Sequence, residues 1–79
     1  MQTMDKHELQ NDLKVLRAMR KLTQADLAEM AGVTRKSVNA IETGRMVPSI
    51  VLALRLAHAL GVNIETIFSL GSAGADRPD

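Results

Sequence analysis

Two helix start signals lie only eleven positions apart in the middle of this 79-residue chain. Thr23 is followed three residues later by Asp26, which is the pattern of a capping box, and Gly32 stands where the helix that begins there has to end. Thr34 provides a second start, and Gly44 provides a second stop. The sequence therefore predicts two short helices joined by a very tight turn.

Apolar residues recur at helical spacing on both sides of this pair. Leu9, Leu13 and Leu16 follow a capping box formed by Asp5 and Glu8, which predicts helix 1 from about residue 6 to residue 20. Ser49 caps a fourth helix that Gly61 ends, and Asn63 caps a short fifth one. We expect an all-α fold of five helices without any β-strand. Its parts are an N-terminal extension (1–10) that helix 1 can include, the folded domain (11–70) and a disordered tail (71–79).

Composition excludes several classes of protein. A chain of this length has room for one modest core, and the absence of cysteine excludes disulfides and thiolate metal sites. His7 and His58 are too far apart to predict a metal site, and no cofactor or small-molecule ligand is evident. No apolar run approaches the roughly 20 residues of a membrane span. Ser37 has no histidine or acid spaced to activate it, so we do not expect an enzyme.

Positive charge is concentrated in the middle of the chain. Residues 11–48 contain seven bases and four acids, whereas the segments on either side are each slightly acidic. Such a distribution attracts a polyanion when folding gathers the bases on one face. Two helices joined by a tight turn, with exposed bases at the start of the second, are the arrangement that places a helix in the DNA major groove.

Five sequence segments in order resemble the Cro and lambdoid-repressor family, also called Xre-like regulators. They are TQADLA (23–28), AGVTR (31–35), IETG (41–44), PS (48–49) and ALGV (59–62), and the resemblance covers about residues 11–68. It implies a lambda-repressor-like domain in which helices 2 and 3 form a helix-turn-helix. The implied function is that of a sequence-specific regulator of transcription, a repressor, working in the bacterial cytoplasm and at the nucleoid when bound to double-stranded DNA.

The resemblance makes residues 35–43 the recognition helix. We expect Arg35 and Lys36 to reach guanine O6 and N7, Asn39 to read adenine, and Ala40 to meet a thymine methyl group. The expected phosphate contacts come from the polar residues around the two helix starts and from two arginines, namely Gln24, Thr34, Ser37, Arg45 and Arg17. The family also pairs an arginine of helix 1 with the glutamate before the glycine that closes helix 3, which predicts a structural ion pair between Arg17 and Glu42.

Large apolar side chains crowd the end of the folded domain, and a domain this small has difficulty covering them all. We expect a homodimer that binds a near-palindromic operator, with a C-terminal interface formed by Val62, Ile64, Ile67 and Phe68. The helix 1 extension, with Met4 and Leu9, is the alternative surface. Two other functions remain open at this point: a DNA-binding antitoxin, and a protein-interaction module that has lost DNA binding.

Overall fold

The computed structural model describes residues 9–71. Five helices and two short strands follow one another along this part of the chain: β1 (Leu9–Asn11), α1 (Leu13–Met19), α2 (Gln24–Ala31), α3 (Arg35–Glu42), α4 (Ile50–Leu60), α5 (Ile64–Ile67) and β2 (Phe68–Leu70). The 1–8 part of the predicted extension and the 72–79 part of the predicted tail lie outside the described residues. Among the helices from residue 9 to residue 71, none has both the length and the apolar character needed to cross a membrane.

The predicted starts of α2, α3 and α4 are confirmed by their caps. The hydroxyls of Thr23, Thr34 and Ser49 each accept a hydrogen bond from the backbone N–H three residues later. At α2 the Asp26 carboxylate also accepts from the Thr23 N–H at 2.9 Å, which completes the capping box. Gly32, with φ of 72°, ends α2 in the left-handed conformation. The start of α5 differs, because the side chain of Asn63 makes no capping hydrogen bond.

A two-stranded antiparallel sheet was not predicted, and the prediction of a strand-free chain is wrong. β1 pairs with β2 so that Leu9 lies opposite Leu70 and Asn11 lies opposite Phe68. Helix 1 consequently cannot run from residue 6, since residues 9–11 are in a strand. Asp5 and Glu8, the predicted capping box, lie outside the described residues. It is Asn11 that organises the start of α1, because its Oδ1 accepts from the Leu13 N–H at 3.0 Å.

The core is aliphatic and draws on every helix. Its fully buried side chains come from α1 to α5, namely Leu13, Leu27, Val38, Ile41, Leu56 and Ile67. Buried alanines of α2 and α4 belong to the same core cluster. Removing such apolar surface from water is the main source of stability in a domain of this kind. The buried side chains of α3 are Val38 and Ile41, and the face of the helix turned away from them is exposed.

Replacing Ile67 by alanine should destabilise the fold strongly, because only 1% of this residue is exposed. We expect the free energy of unfolding to fall by about 2 to 5 kcal/mol, which is the cost of truncating a buried large aliphatic side chain. Leu70→Ala is the matched control, since Leu70 is 58% exposed, and it should cost less than about 1 kcal/mol. Urea unfolding followed by circular dichroism measures both. Equal costs for the two variants would contradict this description of the core.

Candidate nucleic-acid interface

Helices α2 and α3 are joined by a turn of three residues, 32–34. Gly32 caps α2, and the Val33 N–H donates to the Ala28 carbonyl at 3.0 Å. Thr34 immediately begins α3 by accepting from the Ser37 N–H at 3.0 Å. Because each residue of the turn is tied to a helix end, the relative orientation of α2 and α3 is set locally. This is the helix-turn-helix geometry that the sequence predicted.

The outward face of α3 carries most of the predicted base-contacting side chains. Arg35 and Lys36 occupy the first turn and Asn39 occupies the next, and all three residues are exposed. Val38 and Ile41, on the opposite face, are buried. Ala40 is only half-buried, and its carbonyl accepts from the Arg45 N–H at 2.8 Å. Because its exposed and buried residues lie on opposite faces, α3 can place two basic side chains and one amide side chain against another surface and keep its core contacts.

Four of the five predicted phosphate-contacting residues lie at or beside the ends of α2 and α3, and the fifth, Arg17, is in α1. Gln24 is the first residue of α2, and the exposed Arg45 is in the loop after α3. Thr34 and Ser37 share a hydrogen bond between their hydroxyls at 3.0 Å, with the Thr34 hydroxyl donating. The Ser37 hydroxyl thus keeps its own hydrogen for another acceptor. The amides of a helix start and neutral hydroxyl donors are groups that commonly bind phosphate.

Arg17 and Glu42 form the predicted ion pair, with two-point geometry. The Arg17 Nε donates to Glu42 Oε2 at 2.7 Å, and Nη2 donates to Oε1 at 3.1 Å. Nη1 donates to the Leu22 carbonyl at 2.9 Å. The side chains are 15% and 4% exposed, respectively. All three guanidinium nitrogens therefore have protein partners, and a phosphate contact by Arg17 stays a prediction.

Gln24 belongs to the same cluster, a connection that the sequence analysis missed. Its Nε2 donates to Glu42 Oε1 at 3.0 Å and to Asn39 Oδ1 at 3.2 Å. Both hydrogens of this amide nitrogen therefore face acceptors within the protein. A phosphate contact by the Gln24 side chain nitrogen would require exchanging one of these bonds. The start of α2 and the outward face of α3 are thus linked by side chains as well as by the turn.

Asn11 is a second residue that the sequence analysis missed. Its Nδ2 donates to the carbonyl of Ile41 at 3.0 Å, across thirty residues of sequence. This carbonyl is in the last turn of α3 and also accepts from the Gly44 N–H at 3.1 Å, so Asn11 supplies its second hydrogen bond. Asn11 therefore links the end of α3 to the junction between β1 and α1. An asparagine at such a junction gives no local signal that it reaches so distant a partner.

Glu42 stays charged because its hydrogen bonds outweigh its burial. Burial raises the pKa of this carboxyl, but hydrogen bonds from Arg17 and Gln24, together with the charges of Arg17 and Lys14, lower it. The net pKa of Glu42 lies below its ordinary value of 4.5. The carboxylate is therefore an acceptor only, and it organises the donors around it.

Comparison with known proteins identifies this arrangement. A helix-turn-helix family model matches residues 13–67. An uncharacterised HTH-type transcriptional regulator of Methanocaldococcus jannaschii is 48% identical over 60 residues, which are 76% of this chain and 91% of that protein. The chain belongs to the Xre-like helix-turn-helix family. This is a family of transcriptional regulators and not of enzymes.

Similarity to one further relative and to one solved structure agrees with this assignment. The immunity repressor protein of Bacillus phage phi105 is 40% identical over 55 residues, which are 70% of this chain and 38% of the repressor. The crystal structure of the restriction-modification controller protein C.AhdI from Aeromonas hydrophila superposes with a TM-score of 0.66 at 35% identity, covering 68% of this chain and 82% of that one. The helical part of the fold is therefore the one that the sequence predicted.

The predicted dimer residues of this Xre-like domain occupy two different environments. Ile67 is within the core of the single chain, so its side chain is already fully used there. Val62, Ile64 and Phe68 are half-buried and pack against the core. Leu70 is the large apolar residue of this region that remains mostly exposed. A partner at this end would thus meet Leu70 and the outer parts of its neighbours, and not Ile67.

Acid should weaken the domain through Glu42. Since the folded-state pKa is lowered, the stabilisation is complete above the ordinary value of 4.5 and is lost as the pH falls through the lower folded-state value. We expect the free energy of unfolding to decline more steeply below about pH 5 in the natural chain than in Glu42→Gln. At neutral pH this variant should be less stable by on the order of 1 to 3 kcal/mol, because Arg17 loses its charged partner.

The matched control for this titration is Glu29→Gln, which neutralises an exposed carboxylate of α2. It should leave both the neutral stability and the acid slope nearly unchanged. Denaturant unfolding at a series of pH values measures all three proteins. If Glu42→Gln and the natural chain lost stability in parallel on acidification, the ion pair would not be the acid-sensitive element.

Proposed function

We propose that this protein is a sequence-specific regulator of transcription that binds double-stranded DNA with α3 in the major groove. The observation that carries the proposal is the outward face of α3, where Arg35, Lys36 and Asn39 are exposed on a helix whose opposite face is buried. The major groove is wide enough to admit such a helix, and it displays a distinct set of donors and acceptors for each base pair. Membership of a family of regulators supports the same function.

Base reading is assigned to the side chains of the first two turns of α3. Arg35 and Lys36 each offer donors suited to guanine O6 and N7, and Asn39 lies one turn further along the same face. The half-buried Ala40 can contribute an apolar contact to a thymine methyl group. We assign the main base contact to Arg35, because a planar guanidinium can donate two parallel hydrogen bonds to one guanine.

Phosphate contacts are assigned to the rim of this face. Arg45 follows α3, while Thr34 and Ser37 lie at its start. At the start of α2 the backbone amide of Gln24 is the donor best placed for a phosphate, because the side-chain nitrogen is engaged with Glu42 and Asn39. Arg17 can add its remaining guanidinium hydrogens. These contacts position the domain on the duplex and carry no base preference of their own.

Repression by a homodimer is the mode of action that we propose. The phage relative is itself named an immunity repressor, and a small domain that covers one half-site gains affinity and specificity by pairing. Two-fold symmetry would set the recognition helices about 34 Å apart, which is one turn of B-DNA, so the operator would be a near-palindrome. DNA binding would also place the protein in the compartment that holds the chromosome.

Arg35→Ala should relax the preference at one base pair of the selected site. We expect a loss of about 1 to 3 kcal/mol of discrimination at that pair, because one guanine loses its two donors. Arg45→Ala is the matched control, since it removes the same charge from the loop. It should weaken binding to all sequences alike and reduce the salt dependence by about one phosphate contact. Selection of DNA from a random pool, followed by anisotropy titrations of the selected site and its point variants, measures both.

Equal losses of specific and non-specific binding in Arg35→Ala would contradict the base-reading role. If the protein failed to bind bulk DNA even at low salt, DNA binding would be contradicted altogether. That result would favour the protein-interaction module instead. An antitoxin would still bind its operator, so that alternative is separated by co-purification of a toxin with the tagged protein. No feature of residues 9–71 favours it over a free-standing regulator.

Leu70→Asp should convert the dimer to a monomer without unfolding it. The introduced carboxylate would face the partner, whereas the core residue Ile67 stays in place. Met19→Asp is the control, because Met19 is 70% exposed at the far end of α1. Sedimentation equilibrium at micromolar concentration measures the mass, and dichroism verifies the fold. A natural chain that is monomeric, alone and on its operator, would overturn the dimer, and a dimer that survives Leu70→Asp would place its interface elsewhere.

A further inference from the structure

Helix α4 lacks the polar outer face that a surface helix ordinarily has. Nine of its eleven residues are apolar, and the other two are Arg55 and His58. One side of α4 packs in the core, whereas Ile50, Val51 and Leu54 on its other side are each more than half exposed. A helix that is apolar all round is normally buried all round. The outer side of α4 is therefore an apolar surface that the described part of this chain does not cover.

This outer side of α4 forms an open groove with the end of α2, the α2/α4 groove. The groove is lined by two residues of α2 and four of α4, namely Met30, Ala31, Val51, Leu54, Arg55 and His58. Exposed apolar residues gathered in this way mark interaction sites more often than apolar residues scattered singly. None of the six lining residues is among the predicted contacts with DNA or with a second subunit. The α2/α4 groove is thus a separate surface, and α3 contributes nothing to it.

The polar groups of the α2/α4 groove are basic. Arg55 and His58 are exposed, and the other four lining residues are apolar, so no carboxylate lines the groove. The Arg55 Nη1 donates to the Gly32 carbonyl at 3.3 Å, which holds the guanidinium beside the end of α2. A guanidinium has five N–H donors. No carboxylate of residues 9–71 forms an ion pair with Arg55. The groove therefore complements a surface that combines apolar side chains with carboxylates.

We propose that the α2/α4 groove binds an amphipathic helix of a partner protein, with acidic side chains flanking the apolar stripe of that helix. A groove between two packed helices accepts a third helix, which inserts apolar side chains spaced three or four residues apart. These side chains would cover Met30, Val51 and Leu54, and the carboxylates beside them would accept hydrogen bonds from Arg55 and His58. The inference goes beyond the proposed function, because helix binding at this groove requires no DNA.

Charge and shape favour this occupant over two others. A second copy of the chain would pair the α2/α4 groove with itself about a two-fold axis, so two basic surfaces would face each other. A membrane would meet the same apolar and basic residues, but a lipid surface does not fill a groove between helices. Anionic lipid is also recognised by clusters of about four to eight basic residues. Arg55 and His58 are too few for such a cluster.

The apolar part of the proposal is tested with a displayed library of helical peptides whose surface positions are randomised. Peptides that bind the natural chain should carry an apolar stripe flanked by aspartate or glutamate. Leu54→Asp should weaken their binding by at least about tenfold, because it places a carboxylate within the apolar lining. Val15→Asp is the matched control, since Val15 is 56% exposed on α1 and Leu54 is 53% exposed. It should leave peptide binding nearly unchanged.

The charge of the groove is tested by Arg55→Glu. This variant should weaken binding of the selected acidic peptides by at least about tenfold, because like charges then meet, and a fresh selection should yield basic peptides. Arg45→Glu is the control, since it makes the same change at an exposed position outside the groove. It should have little effect on peptide binding. Anisotropy titrations with labelled peptides measure the affinities, and dichroism verifies that each variant is folded.

A library that yields no binding peptide, or binding peptides without enrichment in acidic residues, would overturn the inference. Losses as large in Val15→Asp and Arg45→Glu as in the groove variants would also overturn it. If Leu54→Asp lowered the mass of the natural chain's dimer in sedimentation equilibrium, a second copy would be the occupant instead. Binding to anionic phospholipid vesicles that Leu54→Asp abolishes would identify a membrane instead. All of these results are obtained without DNA, so they are separable from failure of the proposed function.

Discussion

The ion pair between Arg17 and Glu42 is the interaction on which the placement of α3 depends. Three separate segments converge on the Glu42 carboxylate and its partner, because α1 supplies Arg17, the start of α2 supplies Gln24, and Leu22 gives its carbonyl to the same guanidinium. A pair buried to this degree contributes little net stability, since desolvation offsets much of the attraction. Its value is directional, because it ties the last residue of α3 to α1 and, through Gln24, to the start of α2.

The elements that could be predicted from the sequence are those whose signals are local. Thr23, Thr34 and Ser49 each bond a backbone group three residues away, so their role can be read from spacing alone. The strand pair could not be predicted, because its two strands have three residues each and lie almost sixty positions apart. Leu9 fits the helical spacing of Leu13 and Leu16, so the same pattern that correctly indicated α1 also extended it too far.

The candidate site divides along the same line. Exposure of Arg35, Lys36 and Asn39 on one face follows from helical periodicity, and the partner of Arg17 was available from the family resemblance. The direction of an amide does not follow from either, since it depends on which atoms meet after folding. Ile67 illustrates the limit for apolar residues. Its hydrophobicity predicts that it is buried. Only the packed structure shows whether a residue is buried within its own chain or would be buried by a partner.

The strand pair has a topological consequence. Leu9 and Leu70 face each other across neighbouring strands, which lie about 5 Å apart, so the described chain leaves and returns to one point on the surface. Pairing of β1 with β2 therefore brings the two ends of the helical part of the chain together. The contacts between the helices do not depend on the order in which the helices follow one another along the chain. A circularly permuted chain, opened in the loop between α3 and α4 and joined where the strands meet, would retain the same core and the same outward face of α3.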